Sequence, residues 1–141
     1  VITKATCNHL DPAANPKNIV GYRNVITRKL PEFAKEMIYL PRFNLKIKPW
    51  YHWTQGKTPP WWDSYNKVKH ERNEYFAQAN LKNVLYSMGG LLVAEFYFHK
   101  LKFQSENRPI SSNKDVTELL IDESQFLKLP DDYYATAILW D

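Results

Sequence analysis

The hydrophobic positions of the N-terminal third recur at helical spacing. An i, i+3, i+7 stripe that starts at Ile19 predicts a helix over about 18–30, and Asn18 is suited to cap its first turn. Pro31 interrupts this stripe, which then continues to residue 40. Residues 18–40 are therefore predicted to form one kinked helix or two short ones.

A different pattern follows at residues 43–48. Phe43, Leu45 and Ile47 alternate with polar residues, and this period of two predicts a short strand or extended segment. Before the first helix, Asn, Asp and Pro residues favour turns, so residues 1–17 are predicted to form an irregular N-terminal arm.

Helical spacing returns after the Thr58-Pro59-Pro60 segment and predicts one helix from about Pro60 to Phe103, since proline suits a first turn. Such a helix would be on the order of 60 Å long at about 1.5 Å per residue, so we expect a bend at Gly89-Gly90 or a close approach of another helix there. The pattern as a whole predicts an all-α, up-and-down helical bundle with one long helix, in a single domain over residues 1–141.

Polar side chains gather on one face of the long predicted helix. At about 100° per residue, Asn66, His70 and Asn73 share that face with Ala77 and Asn80. A covered face with amides and an imidazole needs hydrogen-bond partners. On the same wheel Arg72 lies about 160° from His70, and Lys69 lies between the two directions.

Composition changes this picture little. The chain has 141 residues, 44% of them hydrophobic, and its net charge of +4 permits a polyanionic partner without requiring one. The single cysteine, Cys7, excludes an internal disulfide and fits a reducing compartment, so we expect a cytoplasmic protein. No apolar run approaches the roughly 20 residues that span a bilayer, and no signal-peptide pattern opens the chain. We expect no membrane partner.

The polar face suggests one kind of chemistry. A neutral histidine such as His70 can take or give a proton near neutral pH, and Arg72 or Lys69 can hold a phosphate. With Asn66 to orient the imidazole, these residues could cut RNA without a metal. The alternative is that His70 and the asparagines are buried capping and bridging groups. The four histidines have no metal-ligand spacing, so we expect no metal and no cofactor.

The tryptophans allow two interpretations as well. Trp50, Trp53, Trp61 and Trp62, with Tyr51, are suited to stack on nucleic-acid bases. The alternative, which we favour, is an aromatic cluster buried beneath an irregular loop at residues 49–60.

The segment from Trp61 to Arg72, with the pattern W-W-x-x-Y-N-x-x-K-H-x-R, resembles the HEPN superfamily, and a looser similarity extends over 46–101. The resemblance implies a helical bundle that pairs as a homodimer, here through the long helix. Active members resemble metal-independent RNases of toxin, antiphage or CRISPR systems, with an Arg-Asn-x-x-x-His motif.

The matching positions in this chain are Tyr65, Asn66 and His70, and Tyr65 stands where the family has arginine. Tyrosine carries no permanent positive charge for a phosphate. The resemblance therefore implies a catalytically silent or weakly active dimerisation or RNA-binding module, with Lys69, Arg72, Tyr65 and Asn73 as the RNA-contacting residues. The alternative is a metal-independent endoribonuclease that uses His70 and Asn66 at a dimer interface.

Overall fold

The computed structural model describes residues 1–119 and 126–134, and most of these residues are helical. The described α-helices are α1 (Ile2–Leu10), α2 (Ile19–Lys29), α3 (Pro60–His70), α4 (Arg72–Tyr75), α5 (Leu81–Ser105) and α6 (Asn113–Leu119). The described strands are β1 (Ile38–Leu40) and β2 (Leu45–Ile47), and single 3-10 turns lie at Phe33–Lys35, Pro41–Phe43, Tyr51–Gln55, Phe76–Gln78 and Asp131–Tyr133. Within the described ranges, no helix has the length and apolarity to cross a membrane.

The predicted irregular arm is wrong for residues 2–10, which form α1. Thr3, Thr6 and Cys7 are buried where this helix packs against α2 and α5. The turn-forming residues that suggested an arm lie mostly after α1, at residues 11–16. A helix this short is stable only when its covered face is packed, and that packing depends on a helix far along the chain.

The segment after α2 is the second difference. As predicted, Asn18 caps α2, since its side-chain oxygen accepts a hydrogen bond from the Gly21 N–H at 2.9 Å. After one 3-10 turn, however, the chain forms β1 instead of a second helix. Ile38 pairs with Ile47 across the antiparallel β1–β2 hairpin, so the fold is mainly helical and not all-α. The predicted extended segment at 43–48 is partly confirmed as β2.

The long predicted helix is wrong as a single element. Glu71 leaves the helical region with φ −136° and ψ 55°, which ends α3 at His70. After α4 and one 3-10 turn, α5 begins behind Asn80, whose side-chain oxygen accepts a hydrogen bond from the Asn83 N–H at 3.0 Å. The chain therefore folds back, and α3 packs along α5. The predicted start at Pro60 is confirmed.

Gly89 and Gly90 lie inside α5, which continues through them, and they serve close packing. A Cβ added to Gly90 would lie 2.9 Å from Cζ2 of Trp61 on α3, and one added to Gly89 would lie 3.1 Å from Cδ1 of Ile47 on β2. The predicted close approach at this position is confirmed.

Tryptophans fill the core between α3, α5 and the 49–60 loop. The indole rings of Trp50 and Trp53 lie 4.4 Å apart, and both contact Phe33. The indole N–H of Trp50 donates to the Gly90 carbonyl at 3.0 Å, and that of Trp61 donates to the Pro49 carbonyl at 2.7 Å. Because these three indoles are buried, they cannot stack on bases, and the predicted aromatic cluster is confirmed for them.

The C-terminal part closes the core beside α5. Asp115 caps the start of α6 by accepting hydrogen bonds from the backbone N–H groups of Ser111 and Ser112 at 2.7 and 2.8 Å. The apolar residues of 133–140 predict a tail that packs back on the bundle. Tyr133 and Tyr134 are buried, as this prediction requires, and the rest of the tail, 135–140, lies outside the described residues.

Candidate functional site

The end of α3 carries most of the residues that sequence analysis selected. His70 is the last residue of the helix and is exposed, and Glu71 turns the chain into α4, which presents Arg72 and Asn73. His70, Arg72 and Asn73 line one shallow concavity of about 300 Å³ together with Glu71 and Glu74. The break in the helix thus brings these three predicted residues to one place.

The predicted polar face does not exist as a continuous surface. The prediction of this face required one helix through residue 80. In the structure Asn73 follows the break at Glu71, and Asn80 caps α5. The predicted angle of about 160° between His70 and Arg72 is wrong for the same reason. His70 and Asn73 are exposed in the single chain, so the prediction that they are buried bridging groups is wrong there.

The other selected residues lie outside the concavity. The Lys69 ammonium lies 6.0 Å from the centre of the Tyr65 ring, at the edge of cation–π range, and Tyr65 is 56% exposed. Asn66 is half-buried, and it is not among the residues that line the concavity. Asn66 and Tyr65 therefore lie outside the concavity that His70 and Arg72 line.

Acidic residues oppose the cation in this concavity. Glu71 and Glu74 line it beside Arg72. Their negative field is visible at a neighbouring phenol, because the charge of Glu74, followed by its hydrogen bond, raises the pKa of Tyr75. A phosphate placed here would meet one guanidinium and two carboxylates. The electrostatics are therefore unfavourable for a dedicated phosphate site.

A second surface lies on the solvent side of α5, in its N-terminal half. Leu81, Val84, Met88 and Leu91 are 64%, 45%, 42% and 53% exposed. Their spacing of three, four and three residues places them in one row along the helix, as in the contact stripe of a pair of helices. Polar side chains normally occupy the exposed side of a surface helix, so this apolar row is an unpartnered face.

A groove connects that row to α3. It has a volume of about 130 Å³, and Tyr65 and Val68 of α3 line it together with Val84 and Ser87 of α5. We call the continuous surface formed by Tyr65, Leu81, Val84, Met88 and Leu91 the α5 patch. Toward the C-terminal end of α5 the helix is covered by α1, where the His9 ring packs against Phe98 at 5.6 Å.

The resemblance implies a dimer through the long helix, but Leu81, Val84, Met88 and Leu91 were not predicted to form it. The spacing is visible in the sequence, yet α5 is apolar on several sides, and its inner side holds Leu85, Val93 and Phe96. The sequence alone therefore does not show which of these apolar sides stays exposed, because no polar side sets one of them apart. Burial against α3, the hairpin and α1 makes that distinction.

The fold and this surface define a mainly helical domain with a β-hairpin and an exposed apolar helix face. No protein-family model matches the chain, and no curated protein and no solved structure matches it either. Within residues 1–119 and 126–134, no group of three His, Cys, Asp or Glu side chains is placed to hold a metal ion.

Proposed function

We propose that the protein is a HEPN-like helical module that joins two copies of itself through α5 and is catalytically silent or weakly active. The observation that carries this proposal is the exposed apolar row Leu81, Val84, Met88 and Leu91. RNA binding at the end of α3 and a role in a bacterial defence or toxin-type system belong to the same proposal, and they rest on the resemblance at residues 61–72.

The size of the α5 patch supports a protein partner. From the exposed fractions of its five side chains, we estimate that it presents on the order of 500 Å², compared with roughly 800 Å² on each side of a standard interface. The groove and polar neighbours such as Ser87 can supply the remainder. Apolar patches of this size with a polar rim mark interaction sites.

The charges at the ends of the patch favour a second copy of the chain as that partner. The positive end of the α5 helix dipole lies at the beginning of the row, and the carboxylate of Glu95 lies one turn beyond Leu91. A surface with an apolar centre and opposite charges at its two ends is complementary to itself under a twofold rotation.

The test of self-association is the molar mass of the purified protein by sedimentation equilibrium at tens of micromolar. We expect a dimer for the wild type and a monomer for Met88→Glu and Leu91→Glu, because a carboxylate buried in an apolar interface is strongly unfavourable. Leu119→Glu is the matched control, since Leu119 is a similarly exposed leucine on α6. It should remain dimeric.

A monomeric wild type would reject the proposal and assign the patch to another occupant, such as residues 135–141 or a different protein. Equal dimerisation of wild type and Met88→Glu would place the interface elsewhere. Circular dichroism of each variant establishes that it is folded before its mass is interpreted.

A second candidate function is a metal-independent endoribonuclease. The observation that favours it is that His70 and Arg72 line one concavity. His70 would act as general base or acid, Asn66 would orient it, and Arg72 or Lys69 would hold the phosphate. The carboxylates of Glu71 and Glu74 in the same concavity weigh against this function, so we rank it second.

RNA cleavage in the presence of EDTA separates the two functions. The silent module predicts no cleavage of mixed RNA by wild type or His70→Ala, with RNA binding that falls when Lys69 and Arg72 are both changed to Ala. The nuclease predicts cleavage by the wild type that is lost in His70→Ala. Lys114→Ala, which removes a cation on α6, is the control for a general loss of charge.

A further inference from the structure

The α5 patch can pair with its copy in two directions, and the directions differ in the charges they bring together. Glu95 continues the apolar row, four residues after Leu91, and its side chain is 42% exposed. Its carboxylate lies 3.2 Å from the His99 Nε2. The positive end of the helix dipole lies at the other end of the row.

Parallel pairing is unfavourable electrostatically. It would place Glu95 against Glu95 of the partner subunit and the two positive helix N-termini side by side. Like charges directly opposite each other on paired helices are destabilising. Nothing in the apolar row compensates for this, because antiparallel pairing buries the same four side chains.

We propose that the two copies pair through antiparallel α5 helices, with Leu81 facing Leu91 of the partner subunit and Val84 facing Met88 of the partner subunit. This inference rests on the self-association proposed above. At about 1.5 Å per residue, Glu95 then lies roughly 6 Å beyond the N-terminus of the opposite α5. There it meets the positive end of the partner subunit's helix dipole.

The direction of pairing has a consequence for the concavity at the end of α3. Trp61 of α3 packs beside Gly90, and Val68 lines the groove with Asn83, so α3 runs antiparallel to α5 and His70 lies level with its first residues. In the antiparallel pair the first residues of the two α5 helices are about 15 Å apart along the axis. The two His70 side chains then lie about 15 Å apart along that axis and cannot share one phosphate.

Cysteine cross-linking tests the direction of pairing. Val84→Cys and Met88→Cys are prepared as separate proteins, one is activated with an aromatic disulfide, and the two are mixed at dimer-forming concentration. We expect the mixture to form a disulfide-linked dimer, whereas each variant alone does not, because equal residues would lie beyond the Cα separation of about 7 Å that a disulfide spans. The buried Cys7 is present in every protein, and wild type is the control.

The outcomes separate this inference from the proposed function. Cross-linking of each variant with itself would establish parallel pairing and overturn the inference while leaving self-association intact. A dimer by sedimentation that forms no cross-link in any combination would also overturn it, because the patches would not face each other. A monomeric wild type would reject the proposed function itself.

Glu95→Gln gives a second, independent measurement. Antiparallel pairing predicts that this change raises the dimer dissociation constant by up to about fivefold, since it removes an attraction at the rim of the interface. Parallel pairing predicts a tighter dimer, because a repulsion is removed. Glu106→Gln, near the far end of α5, is the matched control and should leave the dissociation constant unchanged.

Discussion

At the residue scale, two adjacent glycines show how the neighbour of a side chain decides the effect of a substitution. Gly89 and Gly90 occupy the same helix, and alanine would favour helix at both. They differ in what an added methyl group meets. Gly89 faces the end of a flexible isoleucine, whereas Gly90 faces an indole ring fixed by its hydrogen bond to Pro49.

We expect Gly90→Ala to destabilise the protein by about 1 kcal/mol, because overpacking against the fixed ring exceeds the gain in helix propensity. Gly89→Ala should be neutral or stabilising, since Cδ1 of Ile47 can rotate away. Urea unfolding measures both. Equal destabilisation by the two variants would contradict this prediction, because it would mean that the Trp61 ring and the Ile47 methyl group move aside to the same extent.

The single cysteine is also a residue whose surroundings decide its chemistry. Cys7 is buried between α1 and α2, and burial raises the pKa of its thiol to about 11. Near neutral pH the thiol is protonated and shielded. It is therefore a packing residue and no nucleophile.

At the element scale, the break between α3 and α5 decides the geometry of the candidate site. Without it, His70 and Arg72 would lie on different faces of one helix. The break needs the caps that end one helix and begin the next, and Asn80 provides the cap of α5. The sequence pattern placed Asn80 on a polar helix face instead. A helical wheel shows only the direction of a side chain, so it does not distinguish a capping residue from one in the middle of a helix.

Substitution of this cap tests that assignment. We expect Asn80→Ala to lower the free energy of unfolding by about 1 kcal/mol, since the Asn83 N–H loses its acceptor. Asn80→Asp keeps an acceptor and should retain most of the stability. Chemical denaturation at a concentration below dimer formation measures both. An unchanged stability of Asn80→Ala would show that the cap is dispensable.

At the scale of the whole molecule, one buried hydrogen-bonded cluster joins distant segments. The hydroxyl groups of Tyr97 on α5 and of Tyr133 both donate to the same oxygen of the Glu36 carboxylate, which precedes β1. Burial, followed by the hydrogen bond and charge of Glu36, raises the pKa of both phenols. The folded state therefore holds these tyrosines in their neutral form.

This cluster predicts a loss of stability in alkali. An unfolded tyrosine ionises at about pH 10, and the folded pKa values are higher, so the stabilisation is complete below about pH 10 and is lost as the pH rises above it. Tyr97→Phe should cost about 1 kcal/mol at pH 8 and lose less stability than wild type between pH 8 and 11.

Urea unfolding at several pH values measures this difference. Tyr51→Phe, at an exposed tyrosine, is the control and should follow the wild-type profile. Parallel profiles for wild type and Tyr97→Phe would contradict the prediction.

The sequence by itself determined the features that depend on near neighbours. The cap of α2 at Asn18, the start of α3 at Pro60 and the preference of the tryptophans for the core all follow from local chemistry. Asn66 and His70, and the resemblance based on their motif, were likewise identified from the sequence, although their function stays a proposal.

Only the tertiary structure decided which helical patterns continue and which apolar side stays uncovered. A strand such as β1 exists only with its partner, and α1 only with a surface to cover, so both depend on residues remote in sequence. The α5 patch has the same origin. The inner and outer sides of α5 are both apolar, and packing against α3, the hairpin and α1 leaves Leu81, Val84, Met88 and Leu91 exposed.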